Sequence, residues 1–289
     1  MMCLRKTAFT LIVVLTAAVI AEAREDYPDY SSSSGTAWRN LEPGLEYGAF
    51  PSPHASKTGD SLIRVLRIDP RKFELRLFNT SAPEHVRLLT AKEWCQQNGL
   101  VAAINASMYQ ADRRTSVSLM RTKTHTNNPR LSKDMTILAF DRQSPDVPLV
   151  KIIDRQCEDF DAWKGKYGTL VQNIRMISCK GKNVWSQQAK KWSTAAIGID
   201  NQGKVLFIHV RAPFSTYDLI NNLKILPIEL SRLMYVEGGK EAQLYVQSGD
   251  QAYEFTGIYE TGLDGSNQRD YAWSIPNVIG IVRRSKTLK

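Results

Sequence analysis

The chain has 289 residues, of which 43 % are hydrophobic and 23 % charged, with a formal net charge of +9. These proportions are those of an ordinary globular protein, so they exclude a disordered, collagen-like or coiled-coil chain. The length fits one large domain or two small ones. The positive charge favours anionic partners such as phosphate, or it serves only solubility, because no basic block dominates the chain.

Residues 1–23 have the pattern of a secretory signal peptide. Arg5 and Lys6 precede an apolar run, and Ala21 and Ala23 supply the small residues that a signal peptidase recognises. The run is shorter than the ~20 residues that span a bilayer comfortably. We therefore predict cleavage after Ala23, a periplasmic or secreted protein and no membrane span in the mature chain. An uncleaved N-terminal anchor is the alternative.

The remaining chain predicts a leader followed by one domain. Residues 24–40 are polar and contain a serine run, which is typical of a flexible leader. From residue 41 to 285 the composition is even, without a linker or an internal repeat, so we predict a single domain there. Export permits disulfides, and we expect Cys157 to pair with Cys179, because Cys95 lies in a predicted helix that faces a core.

The first half of this domain predicts strands around one helix. Ser61–Ile68 and Phe73–Phe78 flank an Asp69-Pro70 turn and predict a hairpin. Thr90 and Glu93 form a capping box that begins a helix, and Gly99 can end it. A buried strand then runs from Leu100 to Ile104.

The second half adds a hairpin and a second helix. The hairpin joins Ala196–Ile199 to Val205–Val210, and Ser215 with Asp218 begins a helix that stops before Pro227. The further predicted strands are Thr136–Phe140, Leu233–Val236, Ala242–Val246 and Asn277–Val282. Strands outnumber helices, which predicts an α+β fold: a mixed, mostly antiparallel sheet with helices packed against it.

Two strand ends carry the strongest candidates for chemistry. One apolar strand is followed by Asn105-Ala106-Ser107, and another by Glu237-Gly238-Gly239. A buried strand positions the first polar residue after it, and small neighbours let a ligand approach the backbone. Partial burial of Glu237 is expected to raise its pKa towards a value useful in general acid catalysis. The alternative is a solvated or lysine-paired glutamate.

Basic side chains offer sites for a phosphate. His209 and Arg211 are two apart in a predicted strand, so they point to the same face and could hold a phosphodiester, as could Arg175. A surface His/Arg pair without a ligand is the alternative. The histidines are scattered and no metal motif occurs, so we predict no cofactor and no dedicated metal site, with an oxygen-ligated divalent cation left open. The sequence has no basic stripe with interleaved aromatic residues, so it does not favour nucleic-acid binding.

In this order, these segments resemble the phosphodiester glycosidase family, which has lysosomal and exported bacterial members. The resemblance covers roughly residues 41–282. The segments that carry it are Leu41–Tyr47, Ala103–Tyr109, Leu170–Asn173, Ala196–Asp200 with Gly203, Tyr235–Gly239 with Leu244 and Tyr245, and Pro276–Gly280. Several residues depart from the family pattern: Ser107 replaces a Gly, Glu237 an Asp, Lys240-Glu241 a Gly-Ser pair, and Thr194 stands near a frequent Arg.

The resemblance implies a glycoside hydrolase that cleaves a sugar phosphodiester or a related glycosidic bond. Residue by residue, the resemblance carries over to Asn105, Glu237, Gly238 and Gly239. With the basic side chains added, the catalytic candidates are Glu237, Asn105 and His209. The substrate-binding candidates are Arg175, Arg211, Ser107, Asn173, Thr194, Gly238 and Gly239. The implied partner is a carbohydrate or a glycosyl phosphate. A non-catalytic protein that binds carbohydrate or the cell envelope on the same fold is the alternative, favoured by the altered residues at the site.

Overall fold

The structure, a computed structural model, describes residues 38–258 and 271–285. The predicted signal peptide, residues 1–23, lies outside the described residues, as do residues 24–37 of the predicted leader. Trp38, Arg39 and Asn40, the last residues assigned to that leader, form part of the first strand. Within the described ranges, no helix combines the length and the apolar character needed to cross a membrane.

Strands dominate the described chain, with 46 % of residues in strands and 9 % in helices. The strands are β1 (Trp38–Glu42), β2 (Leu45–Pro51), β3 (Leu62–Ile68), β4 (Phe73–Asn79), β5 (Ala102–Asn105), β6 (Met120–Arg121), β7 (Thr126–Asn128), β8 (Thr136–Arg142), β9 (Lys151–Asp154), β10 (Tyr167–Arg175), β11 (Trp192–Asp200), β12 (Val205–Phe214), β13 (Leu230–Gly238), β14 (Gln243–Ser248), β15 (Gln251–Thr256) and β16 (Asn277–Arg283). The helices are α1 (Ala91–Asn98), α2 (Thr216–Ile225) and a short 3-10 helix, Gly239–Glu241.

The strands form two antiparallel sheets. The larger sheet has the order β1-β2-β3-β12-β11-β13-β10-β6-β7, with β8 paired to β10 and β9 paired to β8. The smaller sheet has the order β15-β14-β5-β16-β4. The main hydrophobic core contains buried residues of both sheets, among them Phe207 and Val236 from the larger sheet and Ile104, Leu244 and Ile279 from the smaller. The two sheets therefore pack face to face, as in a β-sandwich.

The predicted α+β fold, a single sheet covered by helices, is wrong. The two α-helices of the described chain are short, and the main core lies between two sheets. The sequence pattern missed this arrangement because many strands are apolar on both faces, as β12 illustrates. Val205 and Phe207 of β12 face the smaller sheet, whereas Leu206 and Ile208 face away from it, against α2.

The two helices cover the outer faces of the sandwich. Leu219, Ile220 and Leu223 of α2 pack on the outer side of the larger sheet. Trp94 and Cys95 of α1 pack on the outer side of the smaller sheet. Each helix therefore packs on the outer face of one sheet, and the inner faces of the two sheets pack against each other.

The hairpin predicted over Ser61–Phe78 is also wrong. β3 pairs with β2 and β12 in the larger sheet, whereas β4 pairs with β16 in the smaller one. The Asp69-Pro70 turn is present, with the Lys72 N–H donating to the Asp69 carbonyl, but it carries the chain from one sheet to the other. Turn residues between two apolar segments thus predict that the chain changes direction. They do not predict which strand each segment pairs with.

Several local predictions are confirmed. Thr90 and Glu93 form the capping box of α1, and Gly99 ends that helix in the left-handed conformation. β11 and β12 pair as the predicted hairpin. Cys157 is bonded to Cys179, and Cys95 is a buried free thiol.

Replacing Thr90 by alanine tests the contribution of the capping box. Thr90→Ala removes the side-chain acceptor of the Glu93 N–H, so we expect the free energy of unfolding to fall by about 1 kcal/mol. Urea denaturation measures this loss, with Thr124→Ala, at an exposed loop position, as the matched control. Equal stability of the two variants would contradict the assigned role.

Candidate active site

The strand end at Asn105 contacts the turn that follows Glu237, although the two strands belong to different sheets. Asn105 ends β5, and its Nδ2 donates to the Glu241 carbonyl at 2.8 Å. Its Oδ1 accepts from the Gln243 N–H at 2.7 Å. The Asn105 amide therefore uses both ends to hold the turn that follows β13, and it supports the site through the backbone.

Glu237 lies next to the end of β13 and retains 9 % of its side-chain exposure. Burial raises its pKa to about 8, and the charge of Glu241 acts in the same direction. The Gly238 N–H, which donates to Glu237 Oε1 at 3.0 Å, opposes the increase. At neutral pH the carboxyl group is mostly protonated, as a general acid must be before it acts.

Three further ionisable side chains are linked electrostatically to Glu237, directly or through Tyr109, and the sequence patterns did not identify them as site residues. Glu241 ends the 3-10 helix, and its charge acts on Glu237. Burial raises the pKa of Tyr109, and the charges of Glu241 and Glu237 raise it further, while Arg113 opposes them. Glu237 is therefore coupled to a second carboxylate and a phenol, and the phenol in turn interacts with a guanidinium. Two features of the sequence pointed towards these residues. Tyr109 lies in a segment that resembles the family, and Lys240-Glu241 departs from the family pattern.

Asn173, in β10, lies on the strand that neighbours the strand of Glu237. Its Nδ2 donates to the Ala106 carbonyl at 2.8 Å. Ile174 pairs with Tyr235 across β10 and β13, so Asn173 lies level with the residue that precedes Glu237. Among the described residues, Asn173 Oδ1 is buried without a hydrogen-bond partner, which leaves it available to a ligand or a water molecule.

Ser107 has a supporting position in the loop after β5. Its N–H donates to Asn277 Oδ1 at 2.9 Å, and its hydroxyl lies 3.1 Å from the Ser116 hydroxyl. Ser107 is almost fully buried. These bonds connect the loop to β16 and to its own return segment.

His209 shares a face of the larger sheet with Glu237 but is not positioned as a charged ligand. Both residues pair with Ala195, one from each side, so their side chains point the same way. His209 is fully buried, its Nε2 lies 3.2 Å from the Ala242 carbonyl, and it stacks on Phe255. Burial lowers the pKa of His209 to about 3, so the imidazole is neutral at neutral pH.

The structure does not bring the Arg175 guanidinium to Glu237. Arg175 Nη1 is 3.1 Å from both carboxylate oxygens of Asp154, and Nη2 donates to Gln156. The guanidinium of Arg211 donates to the Thr256 carbonyl at 3.0 Å, next to the end of β15. Substrate binding by either arginine stays a prediction.

Gly238 and Gly239 allow the turn after β13 to pack closely. A Cβ on Gly238 would lie 2.0 Å from Tyr235 Oη and 2.6 Å from the Trp192 ring. Gly239 has a φ of +68°, in the left-handed region that favours glycine. Thr194 pairs with Gly238 but precedes Ala195, so its side chain points to the face opposite Glu237.

A cavity of about 780 Å³ lies away from Glu237, which is not among its lining residues. It lies along α2, and Lys57, Lys191 and Lys224 line it. Its one acidic residue, Asp218, accepts hydrogen bonds from Ser215 and Gln187. This cavity therefore contains lysine side chains and a single carboxylate, which accepts hydrogen bonds from its neighbours. Glu237 and Glu241 are two carboxyl groups, so they are the better candidates for acid–base catalysis.

One group of side chains in the described ranges has the spacing of metal ligands: Asp154, Cys157 and Cys179. The two cysteines form a disulfide and offer no thiolate, so this group is a poor metal site. The expectation that the protein has no dedicated metal site stays a prediction.

A buried carboxylic acid coupled to a second carboxylate, on a rigid β-framework, is an arrangement suited to acid–base chemistry. The chain belongs to the phosphodiester glycosidase family, which matches residues 98–282. No curated protein matches the sequence.

Two solved structures share the fold. One is the catalytic domain of zebrafish N-acetylglucosamine-1-phosphodiester alpha-N-acetylglucosaminidase, auto-inhibited by its pro-peptide; the TM-score is 0.60 at 12 % identity, over 85 % of this chain and 86 % of that one. The other is a hypothetical protein from Synechocystis, with a TM-score of 0.54 at 12 % identity, over 83 % of this chain and 62 % of that one. At this identity the likeness concerns the fold alone.

The protonated state of Glu237 predicts a pH-dependent stability. Its pKa is about 8 in the folded protein against an ordinary value of 4.5, so the unfolded chain releases this proton first as pH rises. This contribution to stability is complete below the unfolded pKa and is lost, at about 1.4 kcal/mol per pH unit, as pH rises to the folded pKa. Glu237→Gln removes the ionisation, so its stability relative to wild type should increase between about pH 5 and about pH 8.

Urea denaturation across this pH range measures the effect. Glu84→Gln, at an exposed position, is the matched control and should follow wild type. Parallel stability curves for wild type and Glu237→Gln would show that Glu237 is ionised in the folded protein at neutral pH.

Proposed function

We propose that the protein is a hydrolase that cleaves the glycosidic bond of a sugar phosphodiester. The family supports the glycosidase-like class, and the neighbour of known activity acts on an N-acetylglucosamine-1-phosphodiester. The observation that carries the proposal is the buried Glu237, protonated at neutral pH and next to Glu241. An acid and a nearby carboxylate are the two groups that glycoside hydrolysis requires.

Glu237 acts as the general acid. It transfers its proton to the phosphate oxygen that leaves the anomeric carbon, and the electron pair of the broken carbon–oxygen bond stays on that oxygen. Glu241 accepts a proton from the attacking water, whose oxygen forms the new bond to the anomeric carbon. The products are the free sugar and a phosphate monoester, and one proton returns from Glu241 to Glu237 through solvent.

Asn173 and Tyr109 orient the substrate. The unpartnered Oδ1 of Asn173 accepts a hydrogen bond from a sugar hydroxyl, and the Tyr109 hydroxyl, close to both carboxyl groups, donates one. Asn105 keeps the turn of Glu241 in place and does not contact the substrate. In this proposal no resident cofactor takes part.

We also propose that the protein works in the periplasm or outside the cell. The signal-like residues 1–23 support this location. The disulfide between Cys157 and Cys179 supports it independently, because disulfides persist in oxidising compartments.

Turnover by the purified chain tests the hydrolase function. With the methyl phosphodiester of N-acetylglucosamine-1-phosphate as substrate, release of the free sugar should be measurable, and Glu237→Gln should lower kcat by about 10²–10⁴-fold. Glu84→Gln, at an exposed position, should match wild type. Binding of the diester without any turnover would contradict the hydrolase and favour a carbohydrate-binding protein.

The pH dependence of kcat/KM tests the role of Glu237. Because burial raises its pKa to about 8, the rate should fall as pH rises through that value and the acid loses its proton. Glu237→Asp retains a carboxylic acid, so it should keep a falling basic limb at lower activity. A rate that stays constant through about pH 8 would exclude Glu237 as the acid.

A further inference from the structure

A short strap, residues 271–275, is anchored by hydrogen bonds at three points. The Trp273 carbonyl accepts from Gln243 Nε2, and the Ser274 carbonyl accepts from Arg113 Nη2 at 3.1 Å. The Ile275 N–H donates to the Leu89 carbonyl at 2.8 Å. The backbone of the strap is therefore fixed against the segments that carry the site.

Two aromatic side chains of this strap are exposed, whereas Ile275 is buried. Trp273 is 46 % exposed and Tyr271 77 % exposed. Large aromatic rings are normally buried, so an exposed ring on an anchored segment indicates a binding surface.

One cation lies over the Trp273 ring, and a second binds the backbone of the neighbouring residue, Ser274. Lys240 Nζ lies 5.7 Å from the ring centre, and Lys240 belongs to the same 3-10 helix as Glu241. Arg113 holds the strap through one nitrogen, and its guanidinium also interacts with Tyr109. Among the described residues, no salt bridge joins Lys240 or Arg113 to a carboxylate.

The cations first expected to bind phosphate are less well placed. Arg175 is bound to Asp154 and Gln156, Arg211 donates to the Thr256 carbonyl, and His209 is buried and neutral. Lys240 and Arg113, in contrast, lie on the two segments that carry Glu241 and Tyr109.

We propose that Arg113, Lys240 and Trp273 form the subsite for the phosphate leaving group, the two cations holding the phosphate and the indole ring stacking on its organic substituent. The subsite rests on the proposed function, because it lies beside the acid that protonates the leaving oxygen. As the carbon–oxygen bond breaks, negative charge on the phosphate increases until Glu237 supplies its proton. Cations placed there stabilise the transition state more than the diester in its ground state.

Binding of product-like monoesters tests the subsite without requiring turnover. Titration calorimetry with methyl phosphate should show affinity that falls with added salt. Lys240→Met and Arg113→Met should each weaken binding about tenfold, the loss expected for one charge-assisted hydrogen bond. Lys240→Arg should retain binding, and Lys133→Met, in an exposed loop, is the matched control.

A second probe separates the ring from the charges. Phenyl phosphate should bind wild type more tightly than methyl phosphate, and Trp273→Ala should abolish that difference while Trp273→Phe keeps most of it. Circular dichroism of each variant verifies that the fold is intact.

The outcomes distinguish the two proposals. If the monoesters bind with this pattern but no glycosyl phosphodiester is turned over, the subsite stands and the hydrolase function fails. If the diester is turned over while Lys240→Met and Arg113→Met bind methyl phosphate like wild type, the subsite is wrong. Absence of methyl phosphate binding in wild type also overturns it.

Discussion

The candidate site depends on one side-chain amide at the joint between the two sheets. Asn105 belongs to the smaller sheet, yet both ends of its amide bond the backbone of the turn that leaves the larger one. Without these two bonds, buried backbone groups at Glu241 and Gln243 would lack partners, at a cost of about 1–3 kcal/mol each. The distance between the carboxyl groups is therefore set by the sandwich itself, which is a more rigid support than a loop.

The same joint controls the electrostatics. Glu237 is buried where the sheets approach, and this loss of solvent keeps its proton bound at neutral pH. Glu241, one turn of 3-10 helix away, is only half-buried, so the two chemically identical groups have different environments. Acid and base roles in carboxylate pairs are assigned by such differences. The fold thus holds one buried and one half-buried carboxyl group. Burial of Glu237 costs stability, and packing in the rest of the sandwich offsets that cost.

Local signals in the sequence predicted local structure well and long-range structure poorly. The caps at Thr90 and Ser215 and the β11–β12 hairpin are decided by neighbouring residues, and the structure contains all three. The partner of β3 is decided by packing between distant segments, which no turn residue encodes. For the same reason Glu237 was recognisable at a strand end, whereas Arg113 was not, because the strap that places it lies about 160 residues away.

The departures from the family pattern concentrate at this joint. Lys240 and Glu241 stand where the family has a Gly-Ser pair, in the turn that the Asn105 amide holds. Lys240 and Glu241 place one cation and one carboxylate in this turn, which a pair of small residues would lack. Because the Asn105 amide holds the backbone of the turn, the side chains of the turn can change without disturbing the sandwich.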